Sequence, residues 1–442
     1  MSELYSWQKP ASAKLTRIMC QYQVALDASD TGVGKTYVAL DVMRQGGLVP
    51  LVVCPKAAIP SWYRVSKELG IPVQDVVNPE KLKTGRTPYL GKGGKKQDWI
   101  WASKVDALIF DECHKFGGAK SQNAWIMAAS KTFQIPSLNL SATVADSPLK
   151  LRALGYLLGL HQFRDFWAWT KRYGCYSNPW GGVAFTTDIK RRSIALLQLH
   201  RTIFPDKGIR LRVDQIPGFP ENAVSAEAFE LSDKATHLTQ EAYADADDEL
   251  SKAEDEETPT NPLVILLRAC QQAELNKVDL LTGIVEDTLE EGRSPVVFTR
   301  FRATQVALAR RCEEIAPGQV ALIHGSQNDK THERELEIAR FQSNEKTVML
   351  AMIQAGGLAI SLHDLHGRPR SSFICPVYNV VELKQALGRI HRAASMSKAI
   401  QKIVFAAGTV EEEVCKAVRR KLDNLEMLND GELQGAISWM KK

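Results

Sequence analysis

Residues 29–36, Ser-Asp-Thr-Gly-Val-Gly-Lys-Thr, constrain this chain more than any other stretch. The apolar run Val24-Ala25-Leu26 precedes them, Tyr37-Val38-Ala39-Leu40 follows at helical spacing, and Gly46-Gly47 stops the helix. Strand, glycine-rich turn and helix N-terminus form the setting a phosphate-binding loop needs. Gly32 and Gly34 let the backbone turn its N–H groups towards phosphate oxygens at the positive end of the helix dipole. Lys35 adds a point charge for the outer phosphates, and the Thr36 hydroxyl is placed to ligate Mg²⁺. Ser29, Asp30, Thr31 and Val33 complete the cradle, with Ser29 standing where this pattern usually has a glycine. A ligand-free Gly-Lys-Thr turn is the competing reading, and the residues downstream weigh against it.

At 442 residues the chain exceeds one compact core, so two or three domains are expected. No apolar run approaches the roughly 18 residues of a membrane span. The N-terminal MSELYSWQKP lacks a basic stretch followed by an apolar one, which argues against a signal peptide. Eight scattered cysteines without a Cys-x-x-Cys pair point to a reducing compartment, and away from disulfides or zinc. His363 and His366 lack the cysteines a metal site there would need. A net charge of +5 identifies no polyanion by itself, so its distribution matters more.

In the first half, Gln8 lies upstream of the loop, where a glutamine can bond both N6 and N7 of adenine. A buried-type strand, Leu51-Val52-Val53-Cys54-Pro55-Lys56, ends in a turn. From Lys81 to Lys96 the chain carries Lys81, Lys83, Arg86, Lys92, Lys95 and Lys96 with no acid between them, a basic loop suited to a phosphate backbone or simply solvated. The run Ala107-Leu108-Ile109-Phe110 delivers Asp111-Glu112-Cys113-His114. Asp111 would hold Mg²⁺, and Glu112 would deprotonate the attacking water of ATP hydrolysis. Ser141-Ala142-Thr143 then reads as a turn that relays the state of the γ-phosphate.

Residues 149–174 read as helix, followed by an aromatic, basic-flanked stretch. Phe163, Phe166 and Trp167 are expected to pack, whereas Tyr176 and Trp180 are expected to be exposed and to meet a DNA junction. Glu241–Glu257 holds nine carboxylates against Lys252 alone and reads as a solvated helix and linker. Beyond it, strand and helix alternate again, implying a second parallel sheet without its own phosphate loop. Gln354-Ala355-Gly356-Gly357 reads as a tight turn open to phosphates. Arg389 and Arg392, three apart on an expected helix, would share one face as arginine fingers, with a surface salt-bridged face as the alternative.

SDTGVGKT, LVVCPKAAIPSW, VVNPEKL, DECH and NLSAT, in this order, resemble the successive motifs of superfamily-two helicase-like ATPases. AGGLAISL, QALGRIHRA and KIVFAAGTVEEEV resemble the Swi/Snf-type branch, and the stripped-down chain is similar to compact phage or bacterial enzymes that remodel DNA forks. Two departures stand out. AISL replaces the usual Gly-Leu-Asn-Leu, and the stretch after Arg392 lacks the usual Gly-Gln. The resemblance implies an α/β chain of two RecA-like parallel-sheet lobes: lobe 1 over 1–150, its helical extension over 151–225, an acidic linker over 226–262, and lobe 2 over 263–442. It implies a monomeric DNA-dependent ATPase, working alone or beside replication or recombination proteins in the cytoplasm of a bacterium or phage-infected cell. Duplex, forked or four-way DNA is the expected partner, contacted by Lys56, Lys92, Lys95, Lys96, Thr143, Tyr176, Trp180, Arg300, Gln354 and Gly357. An RNA helicase and the motor subunit of a larger restriction or remodelling complex are the alternatives.

Overall fold

The computed structural model describes residues 3–94, 98–178, 182–253, 262–327, 331–356, 360–433 and 437–439. Two compact units emerge: residues 1–219 with 421–434, and residues 220–420 with 435–442.

The first unit is built on a six-stranded parallel sheet, in the order 208–209, 24–27, 137–140, 107–111, 50–53, 75–77. The strands VALD, PLVV and SLNL are buried along their whole length, as expected for a parallel sheet with helices on both faces. Helix Gln8–Tyr22 lies against helix Lys35–Gln45, joined by the Ser12 hydroxyl donating to Asp41 at 2.6 Å. Three neighbouring strands, 24–27, 137–140 and 107–111, end at the phosphate loop, the Ser-Ala-Thr turn and the Asp-Glu pair respectively. Adjacent carboxyl ends of parallel strands are where such folds place ligands.

Two segments of this unit differ from the sequence expectation. Residues 149–174 form no single helix: Arg152–Leu157 and Phe166–Arg172 are separate, parted by a turn at Gly159, whose φ of 70° suits glycine. Of the aromatics there, Phe166 is fully buried and Phe163 packs on Trp125, but Trp167 is exposed. The basic loop is also more ordered than its composition implies. Pro79–Lys83 is a short helix capped by Asn78, and Leu90–Lys92 pairs antiparallel with Trp99–Trp101, whose two tryptophans are buried.

The second unit holds seven parallel strands, in the order 320–323, 348–352, 294–299, 370–374, 399–406, 222–229, 438–439. Its core joins Val297, Leu350, Phe373 and Val404 of the sheet to Leu281, Val285 and Leu308 of the covering helices. The 226–262 stretch, expected as a linker, begins inside strand 222–229, where Ala226 is buried. It continues as helix Asp233–Ala253, which packs on Pro262–Leu275 through Tyr243, Ala246, Ile265 and Ala269. Composition missed this because the apolar residues are few and widely spaced among the acids. Among the described residues no helix is long and apolar enough to cross a membrane.

Candidate nucleotide site

Gly32 and Gly34 take φ of 86° and 90°, and Gly34 caps helix Lys35–Gln45 in the left-handed region. A Cβ on Gly34 would lie 2.2 Å from Gln8 Nε2, so the close approach also demands glycine. Gln8 is buried. Its Nε2 donates to the Val33 carbonyl at 2.9 Å, while its Oε1 accepts from Tyr5 N at 2.9 Å. The side chain expected to read adenine therefore braces the phosphate loop here. Lys35 Nζ donates to the Ser29 and Asp30 carbonyls at 2.8 and 2.9 Å. Burial pulls its pKa below the ordinary lysine value, against the opposing fields of Asp27, Glu112, Asp111 and Asp30.

At the end of strand 107–111, Asp111 Oδ2 accepts from Trp62 Nε1 and Oδ1 from Glu112 N, both at 2.9 Å. Burial, followed by repulsion from Glu112, raises the Asp111 pKa to about 6. Glu112 sits at φ 51° and ψ 50°, a left-handed conformation that costs a non-glycine residue roughly 1–2 kcal/mol. His114 Nδ1 lies 2.9 Å from Ser141 Oγ, 3.3 Å from Glu112 Oε2 and 3.4 Å from Thr143 Oγ1. Burial lowers its pKa to about 4, so it is neutral at pH 7. Through this ring the Asp-Glu pair touches the Ser-Ala-Thr turn.

The donor set suits a magnesium ion. No group of three or more His, Cys, Asp or Glu among the described residues forms a metal cage. A half-buried carboxylate at a strand end, with a threonine hydroxyl at the start of the helix, matches an ion that takes its other ligands from phosphate and water. Asp111 and Thr36 are the residues that would hold it.

A curated protein of Acanthamoeba polyphaga mimivirus, "Putative ATP-dependent RNA helicase L364", is 30% identical to this chain over 466 aligned positions, covering 98% of this chain and 85% of that protein. The chain belongs to the superfamily-two helicase-like ATPases. Among solved structures, a variant of S. cerevisiae Dbp5 bound to RNA and ADP BeF3 covers 98% of this helicase-like ATPase and 89% of its own chain, at 12% identity and TM-score 0.51, a likeness of fold alone. The Sulfolobus solfataricus SWI2/SNF2 ATPase core in complex with dsDNA covers 98% and 94% at 15% identity, with a TM-score of 0.38 that carries no weight. No family model matches.

Elsewhere in this helicase-like ATPase, the helix expected to carry both arginines stops at Leu387 with Gly388 as its cap, so Arg389 and Arg392 lie in the turn beyond it. Both still converge, donating to the Ile360 carbonyl at 3.2 and 2.9 Å. Lys56 and Lys92 are exposed, Lys92 on a hairpin strand with its ammonium 5.6 Å from the Trp99 ring. Tyr176 is 46% exposed on the hairpin of Cys175–Ser177 with Val183–Phe185. Gln354 is exposed on the short helix Ile353–Gly356, where a tight turn was expected. Arg300 is half-buried with its guanidinium beside Phe301. Thr143 is 2% exposed, placed to contact His114 rather than a polymer in solvent. Lys95, Lys96, Trp180 and Gly357 lie outside the described residues.

Three site residues escaped the sequence reading. Asp27 closes strand 24–27, accepts from Ser29 N at 2.9 Å, and has its pKa raised by burial against the pull of Lys35. Its signal was a lone acid ending an apolar run. Trp62 orients Asp111 from a distant helix, which no local pattern reveals. Arg210 reaches Asp30 across 180 residues of sequence.

Proposed function

We propose that this chain is a nucleic-acid-stimulated ATP hydrolase that translocates along duplex or branched DNA. What supports the hydrolase is the convergence of Lys35, at the start of the helix after strand 24–27, with Asp111 and Glu112 at the end of strand 107–111, close enough that both carboxylates act on the Lys35 ammonium. In the proposed mechanism Lys35 leaves the Ser29 and Asp30 carbonyls for the outer phosphates of ATP. Glu112 aligns and deprotonates the attacking water, with neutral His114 beside it passing the change to Ser141 and Thr143. Magnesium held by Asp111 and Thr36 would neutralise charge on the phosphates. Arg389 and Arg392 are proposed to add positive charge to the transferring phosphoryl group. Arg389→Ala should bind ATP and fold normally yet hydrolyse it slowly; a normal rate refutes that role.

DNA is the proposed polymer because the second-half motifs AGGLAISL and QALGRIHRA resemble the Swi/Snf-type pattern, apart from the AISL stretch and the residues after Arg392. Exposed Tyr176 on its hairpin supports a wedge that stalls one strand at a fork or four-way junction, with Trp180 proposed as its neighbour in that role. Unpairing costs on the order of 1.4 kcal/mol per step but reannealing returns it, so fork regression or branch migration asks the motor only to bias a near-balanced exchange. RNA is the second reading, favoured by the name of the viral relative. ATPase rates against single-stranded, duplex, forked and four-way DNA, with RNA alongside, decide the matter. Stimulation by RNA alone overturns the DNA reading. Equal rates on branched and linear duplex, together with unchanged junction migration in a Tyr176→Ala, Trp180→Ala protein, overturn the wedge.

A further inference from the structure

Asp30 belongs to the phosphate loop by sequence, yet its side chain is turned to Arg210. Arg210 Nη2 meets Asp30 Oδ1 at 2.7 Å, Nη1 donates to the Ala28 carbonyl at 2.7 Å, and Nε donates to Asp430 Oδ1 at 2.7 Å. The three groups are enclosed: side-chain exposure is 10% for Arg210, 22% for Asp30 and 2% for Asp430. Burial works against the guanidinium charge, but Asp30 and Asp430 hold its pKa above the ordinary arginine value.

Backbone bonds extend the same grip. Gly208–Ile209 pairs with the strand before the loop, and the ladder runs on past its end. Ala28 N donates to Ile209 O and Asp30 N to Leu211 O, both at 2.9 Å. Leu211 N donates to Ser29 Oγ at 3.1 Å and Val213 N to Asp30 Oδ2 at 3.2 Å. The Ser29 and Asp30 carbonyls that receive Lys35 are thus carried on a segment fixed from behind.

Asp430 is the last residue of helix Glu411–Asp430, and its neighbours reach the other half of the site. Asn429 Nδ2 donates to the Ala142 carbonyl, inside the Ser-Ala-Thr turn, and Asn424 Nδ2 to the Asp146 carbonyl, both at 3.1 Å. Leu428 is fully buried in the first unit's core, and its carbonyl lies 3.0 Å from His200 Nδ1. One helix end therefore holds the turn that adjoins His114 directly and the phosphate loop through Arg210.

The geometry points to Arg210 and Asp430 as positioning residues for the nucleotide: the end of helix Glu411–Asp430 sets the loop's affinity by holding Ala28–Asp30 in the binding conformation. This rests on reading residues 29–36 as an ATP site. Loosening the grip leaves a mobile segment that must be ordered on binding, so affinity falls while the chemistry, built on other side chains, continues.

Equilibrium binding of the fluorescent analogue mant-ADP to the full chain tests it. Asp430→Asn should weaken mant-ADP about tenfold, the usual size of a coupling between sites, with kcat at saturating ATP within about twofold of wild type. Arg210→Lys keeps the cation but cannot serve both carboxylates and the Ala28 carbonyl together, so it should also weaken mant-ADP, and it serves should the first variant misfold. Reciprocally, mant-ADP should slow amide exchange over residues 424–431 in wild type and not in Asp430→Asn. Equal or tighter binding by folded variants overturns the inference, as does a lowered melting temperature with unchanged affinity. Failure of the wild type to bind mant-ADP removes the ATP-site reading itself, a distinct outcome.

Discussion

Replacing Lys277 by methionine should unfold the second unit selectively. Lys277 is fully buried, and its ammonium donates to both Glu411 oxygens at 2.7 and 2.9 Å. Burial opposes that charge, yet Glu411, with help from Glu274, keeps the lysine pKa above its ordinary value. Glu411 in turn accepts from Ala406 N at 2.8 Å. Glu274, 3% exposed, receives Arg300 N and Phe301 N and so fixes the loop after strand 294–299. Methionine fills most of the space but leaves both carboxylates buried without their cation, a loss of about 3–5 kcal/mol. For a unit of this size that is a fall in Tm of roughly 6–20 °C. Eight of the nine tryptophans lie within residues 1–219, so their fluorescence follows the first unit, while far-UV circular dichroism follows both. Lys277→Met should bring forward one circular-dichroism transition and leave the tryptophan transition in place. Adding Glu411→Gln should restore part of the loss. A shift below about 1 kcal/mol, or one seen first by tryptophan, would refute the reasoning.

Lys35→Ala should abolish productive turnover, whereas Glu112→Gln should keep mant-ADP binding and lose hydrolysis by orders of magnitude, read in single-turnover assays. Neutralising Lys92, Lys95 and Lys96 should weaken duplex binding for all sequences alike and flatten the salt slope by roughly 0.9 for each phosphate no longer neutralised; an unchanged slope assigns the hairpin to solvent. His114 has a folded pKa of about 4, below its ordinary 6.5, so it binds fewer protons folded than unfolded. Its contribution to stability is complete above pH 6.5 and is lost as pH falls towards 4. Melting curves of His114→Gln should therefore lose less stability than wild type between about pH 6.5 and 4.5.

The two parallel sheets were legible because their strands are uniform apolar runs set between helical segments, a pattern that depends only on neighbours in sequence. Lys35, Asp111 and Glu112 were legible for a related reason: each follows such a run or the turn that ends it. What stayed hidden depends on contacts between distant segments. Nothing local to Arg210 announces Asp30 and Asp430, and nothing local to Trp62 announces Asp111. The 226–262 stretch misled because charge dominates its composition while Tyr243 and Ala246 do the packing. Arg389 and Arg392 were expected to share a helix face, but the helix stops at Leu387 with Gly388 as its cap, and both lie in the turn beyond, where they donate to the Ile360 carbonyl.

The grip of Asp430 on Arg210 also orders events in time. Residues 1–219 leave the ribosome about 200 residues before Leu428, Asn429 and Asp430 are made, a delay of roughly 10–40 s at ordinary synthesis rates. Through that interval the nascent first unit has a gap in its core where Leu428 will sit, and Arg210 grips the phosphate loop without Asp430 to hold it. A chain ending between residues 415 and 420 thus carries every quoted motif and still lacks Leu428, Asn429 and Asp430, so the first unit's core and the Arg210 network are completed only once the codon for Asp430 has been read.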